Sequence, residues 1–126
     1  MAIGFLVSCK RSDTKIKERI SNADSIAINY FKGDGTMDTV VAVKILRDKK
    51  IMEQLCSLIS QESADVNTKC GYDGSLHFFK ENRVEQDIDF RMNDKECMFF
   101  TFKQEGKLSA TVLSPEAKQL LETIRK

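Results

Sequence analysis

The residues of this chain that could do chemistry are few. Four cysteines and a single histidine stand among 126 residues: Cys9, Cys56, Cys70 and Cys97, with His77. A cysteine nucleophile needs a base within reach of its thiol, and here one histidine would serve any of the four while no spacing selects one. A zinc site drawn from Cys70, His77 and Cys97 lacks both Cys-x-x-Cys and His-x-x-x-His spacing. Glu85, Asp87 and Asp89 alternate, so they share one strand face where paired carboxylates could exchange protons. Alternating charge flanked by Arg83 and Arg91 is, however, how the wet side of a strand reads. Lys32–Gly33–Asp34–Gly35–Thr36 ends in no Gly-Lys-Ser/Thr and carries no ladder of alternate carboxylates, so it reads as a hairpin turn, not a phosphate or calcium loop. No motif commits the chain to catalysis, to a metal or to a cofactor.

The elements that position these residues are clearer. Between Cys70 and Leu113, short runs of period-two alternation are separated by the turns Lys80–Glu81–Asn82–Arg83, Met92–Asn93–Asp94–Lys95 and Lys103–Gln104–Glu105–Gly106–Lys107, which predicts consecutive antiparallel strands. Asn82 suits a left-handed turn position. From Val84 to Phe90 the pattern sets Val84, Gln86, Ile88 and Phe90 inward and Glu85, Asp87 and Asp89 outward. Ser25 to Phe31 and Thr39 to Leu46 form an earlier hairpin. Asp48 caps a helix whose apolar stripe is Ile51, Met52, Leu55, Cys56 and Ile59, and that stripe is core. Ser114–Pro115–Glu116 opens a last helix with Ala117, Leu120, Leu121 and Ile124 on one side. The expected fold is α+β: an antiparallel sheet of about six strands in the order ββαββββα, with two amphipathic helices on one face. Asp13 to Asn22 is a tether or a short helix with Ile16 and Ile20 on one face. Phe78–Phe79 and Phe99–Phe100 are adjacent pairs, so both sheet faces carry rings. His77, Phe79 and Phe99 fall on the second face, which is either covered or open to a partner protein.

Length bounds the chain to one domain, and a net charge of +1 gives no electrostatic case for nucleic acid. Met1 to Val7 is almost wholly apolar, and Leu6–Val7–Ser8–Cys9 resembles the lipobox of bacterial lipoproteins, whose cysteine takes the lipid. The alternative is an ordinary first strand with a buried cysteine. On the lipobox reading, residues 1–9 are a residual signal ending at the lipidation site, residues 10–24 a tether or short helix, and residues 25–126 a single α+β domain. Lipid on Cys9 would then anchor the chain to a membrane, and Lys10–Arg11–Ser12 lacks the acidic run of surface-exported lipoproteins, which favours the periplasmic side.

In a meander, the segments entering the Leu76 strand and the Phe100 strand lie at the same end of the sheet, so a Cys70–Cys97 disulfide is geometrically reasonable and would require an oxidising compartment. With Leu6–Cys9, the run Lys69–Cys70–Gly71–Tyr72–Asp73–Gly74 leading to an aromatic strand and then Cys97 resembles the small exported lipoproteins of unknown function common in Bacteroidetes. That resemblance implies an architecture and an address but no activity, so no functional residues come with it. The expectation is a lipid-anchored periplasmic module that binds or inhibits a macromolecule. A small cell-envelope enzyme and a cytosolic interaction domain with a folded N terminus are the alternatives.

Overall fold

A computed structural model describes residues 14–32, 39–66 and 69–126. Cys9, with the lipidation expected on it, and residues 33–36 of the expected turn lie outside the described residues. Within the described residues seven antiparallel strands form one sheet: β1 (Ser25–Phe31), β2 (Val40–Leu46), β3 (Ser63–Ala64), β4 (Gly74–Lys80), β5 (Arg83–Arg91), β6 (Phe99–Gln104) and β7 (Lys107–Val112). Their order across the sheet is β2-β1-β4-β5-β6-β7-β3. Among the described residues three helices accompany them: α1 (Thr14–Ile20), α2 (Lys49–Ile59) and α3 (Pro115–Arg125).

The helices begin where the caps dictate. Ile51 N donates to Asp48 Oδ1 at 3.2 Å, and Ala117 N donates to Ser114 Oγ at 3.1 Å with Pro115 at the first turn. The two hairpins of the meander turn on two residues each. Glu81 and Asn82 (φ 52° and 66°) link β4 to β5, and Glu105 and Gly106 (φ 52° and 79°) link β6 to β7, the left-handed pair that a tight hairpin between right-twisted strands needs.

All three helices pack on one face of the sheet. Ile16 and Ile20 of α1, Leu55 and Ile59 of α2, and Ala117 and Leu121 of α3 share one core with Ile26, Ile28, Leu76, Phe78, Ile88, Phe90, Phe100 and Phe102. The folded unit therefore includes Thr14–Ile20. Tyr30 closes the layer: its hydroxyl donates to Leu121 O at 2.6 Å, its ring meets Phe90 edge-on, and the Arg125 guanidinium lies over it, 5.3 Å from the centroid. Burial pushes the Tyr30 hydroxyl up to about 12, against a smaller opposing pull from Arg125.

Two details differ from the sequence reading. The stretch expected as loop after α2 contributes β3, because Ser63 and Ala64 pair with Thr111 and Ala110 on the open side of β7. Val84 is 48% exposed, not inward like Gln86, Ile88 and Phe90, because the β4–β5 register shifts at Phe78/Phe79. On β7, Leu108 is exposed as well, and Thr111 is the residue that reaches the core side opposite Phe100.

Candidate functional site: the open face of the sheet

Every described helix lies on one side, and none packs on the other face of the sheet, where Ser75, Thr101 and Ala110 are nonetheless buried among their neighbours. Register sets what lies there. One row runs Val43–Asn29–Ser75–Asp89–Thr101–Ala110, and the next runs Ile45–Ala27–His77–Asp87.

The centre of this face is a hydrogen-bonded series. Asn29 Nδ2 donates to Ser75 Oγ at 3.3 Å, Ser75 Oγ lies 3.2 Å from His77 Nε2, and His77 Nδ1 lies 2.6 Å from Asp87 Oδ1. With the proton on Nδ1 every role is filled: the amide donates to the serine, the serine to the imidazole, and the imidazole to the carboxylate. Asp89 sits directly across from Ser75. Its carboxyl is held above the ordinary value, mainly by burial, with the imidazole of His77 pulling it down and the charge of Asp87 pushing it up.

Serine, histidine and aspartate in that order are the parts of an acyl-transfer nucleophile, yet the setting points elsewhere. Ser75 is 7% exposed in the middle of a regular strand, and its main chain is committed to the ladder with Asn29 and Asp89 on either side. An anionic oxygen forming at Ser75 would face the Asp89 carboxylate rather than paired donors. The side chain of Asp87 is 69% exposed, so solvent reaches the pair that would have to hold the imidazole. What the series does is fix four polar side chains in one arrangement on an otherwise flat surface.

Around it the face is uneven. A shallow groove of about 460 Å³ runs beside Asp87, Asp89, Thr101, Lys103 and Leu108. On the far side stand Val41, Val43 and Ile45 of β2, about half exposed. The groove carries both signs of charge: Glu85, Asp87 and Asp89 stand with Arg19 and Lys103, while Arg91 is turned to Asp73, its Nη1 donating to Oδ1 at 2.9 Å.

The residues expected to form a partner surface are only partly brought together. His77 lies at the centre. Phe79 and Phe99 share its face and are half-buried, but Phe79 pairs near Val84 and Phe99 opposite Arg91. Seven residues along β5 separate those levels, roughly 20 Å, so the two rings flank the face at opposite ends and form no common patch. The zinc set is not assembled either, since Cys70 is bonded to Cys97 and His77 is engaged with Ser75 and Asp87. Cys56 lies in the helical layer. Its thiol donates to Ile20 O and is pushed up to about 11 by burial and by Glu53, with Lys17 opposing, so it is an inert core thiol.

The disulfide fastens one end of this face. Cys70 and Cys97 are joined across 27 positions, and beside them Asp73, which is buried, accepts from Met92 N at 2.7 Å and Asn93 N at 2.9 Å as well as from Arg91. The loop entering β4 and the loop between β5 and β6 are thus tied twice. No protein-family model matches this chain, and neither a curated protein nor a solved structure does.

Proposed function

We propose that this chain is a non-catalytic binding module of the bacterial cell envelope, held on the periplasmic side of a membrane by lipid on Cys9, and that the open face of its sheet receives a partner protein. The observation that carries the binding role is a sheet face on which no described helix packs: a fixed polar series, Asn29–Ser75–His77–Asp87, between an aliphatic flank and a groove edged with charges of both signs. Its exposed carboxylate Asp87 beside the aliphatic flank favours a partner that presents polar or basic side chains next to aliphatic ones. The Cys70–Cys97 bridge supports an oxidising compartment. The lipid rests on Leu6–Val7–Ser8–Cys9 alone.

Two measurements test this. Mass spectrometry of the full-length product from its host reads the lipid directly, and an unmodified Cys9 refutes the anchor. For the face, a photo-crosslinking residue at Asp87 is compared with one at the exposed Glu53 of α2. The expected result is a discrete adduct from Asp87 alone, weakened by Glu85→Lys; equal labelling from both positions removes the site.

The Ser75–His77–Asp87 series favours a second reading, a small envelope esterase. A serine-directed fluorophosphonate separates the two: phosphonylation of Ser75 that disappears in His77→Ala would replace the binding role with a catalytic one.

A further inference from the structure

The two edges of the sheet are unlike. One ends in β3, only two residues long, which is how natural sheets blunt an edge. Among the described residues the other ends in β2, seven residues paired to β1 on one side only. A strand of that kind offers a row of unpaired N–H and C=O groups to any other strand. The usual protections are thin here. β2 contains no proline, its register shift with β1 lies at its first residues, and its one charge, Lys44, shares the helical face with Ile28. On the open face, Val41, Val43 and Ile45 are 48%, 56% and 53% exposed.

We propose that two copies of this chain associate through this edge, β2 against β2, antiparallel about a two-fold axis near Val43. What completes such an edge is another strand with an edge of its own to offer, and this chain supplies one. An antiparallel pair about a two-fold is self-complementary, since whatever one copy presents the other receives. Register about Val43 sets Val43 opposite Val43 and Val41 opposite Ile45, so the exposed aliphatics of each copy cover those of the other. It sets Lys44 opposite Ala42, not opposite its own counterpart, which a register about Lys44 would do. A net charge of +1 per copy adds little repulsion. The open faces of the two copies then run on as one continuous surface with the aliphatic stripe at its middle. A seven-residue edge is small beside the roughly 1,200–2,000 Å² of a stable interface, so the expected behaviour is exchange between monomer and dimer at micromolar concentrations, not an obligate dimer.

This inference does not rest on the lipid or on the partner protein, and where both hold, the two copies and the partner compete for Val41, Val43 and Ile45. Sedimentation velocity of the oxidised chain, from micromolar to submillimolar concentration, is expected to show the weight-average mass rising toward twice the monomer. Val43→Lys, at a position already exposed, is expected to hold the monomer mass throughout with unchanged circular dichroism. Leu108→Lys, which removes an exposed aliphatic away from the edge, is expected to dimerise as the parent does. Under mild oxidation Val43→Cys should give a covalent dimer and Ala42→Cys should not. A constant monomer mass, a dimer indifferent to Val43→Lys, or a chain that gains mass only when an extended apolar peptide is added would each overturn it.

Discussion

Removal of the Cys70–Cys97 bridge is the perturbation whose size follows most directly from the structure. The bridge spans 27 positions, and closing a loop of that length in the unfolded chain corresponds to about 3.5 kcal/mol on the chain-entropy estimate. The native state should barely notice the loss, because Asp73 still joins the same two loops through Arg91 Nη1, Met92 N and Asn93 N. The effect therefore falls on the unfolded ensemble. A Cys70→Ala/Cys97→Ala variant should keep the native circular dichroism spectrum, lose about 3.5 kcal/mol in urea unfolding, gain slightly in m-value as the unfolded chain expands, and melt on the order of 10 °C lower. That is a large share of the roughly 5–15 kcal/mol available to a domain of this kind. Thiol titration gives the companion reading: in unreduced, unfolded protein, Cys70 and Cys97 should be silent while Cys56 reacts. A stability change below about 1 kcal/mol, with Asp73→Asn equally mild, would refute the reasoning, since it would mean the two loops are not held together in the native state.

Three further outcomes are expected. Gly74→Ala should destabilise by about 3 kcal/mol or more in urea unfolding, because a Cβ there would fall 2.4 Å from Asn29 O and 2.3 Å from Phe90 Cζ, and the backbone oxygen has nowhere to move. Thr111→Val should raise stability by about 1 kcal/mol, since the buried Thr111 hydroxyl finds no partner among the described residues; a loss would show that the hydroxyl is bonded after all. Asp89→Asn tests the open face by pH. The folded carboxyl lies above its ordinary value, so ionised Asp89 opposes folding at neutral pH, and that opposition fades as pH falls through the folded value toward about 4. The asparagine variant should thus be more stable than the parent at pH 7 and converge with it in acid. A gap that widens in acid contradicts the assignment.

Local signals were the legible part of this fold. Asp48 and Ser114 announce helix starts, Asn82 announces a left-handed turn, and the alternation from Gln86 to Phe90 fixes which side of β5 is buried, because each depends only on near neighbours in the chain. The disulfide was legible at one remove, as soon as a meander was assumed. The series on the open face was not. Ser75 and His77 are two apart, so a shared face could be read, but nothing in β4 says that Asp87 stands across from His77 or that Asn29 stands behind Ser75; that is register, fixed by distant packing. Asp73 was equally hidden, since a carboxylate in a polar loop gives no sign that it will be buried under two backbone amides. β3 had no pattern to offer at two residues, and exists only because β7 needed a neighbour.

The placement of β1 between β2 and β4 has a consequence for how the molecule assembles. From β4 onward each strand meets the one before it, so that half can zip up from contacts close in sequence, and both sulfurs lie within it. The first hairpin must wait, then dock β1 along β4 across more than forty positions, the slow kind of pairing. Until it arrives, Leu76 and Phe78 border a vacant lane open to any stray strand. Oxidation of the later half does not depend on the earlier one, so the thiols can lock a scaffold in place and leave the newcomer a single berth.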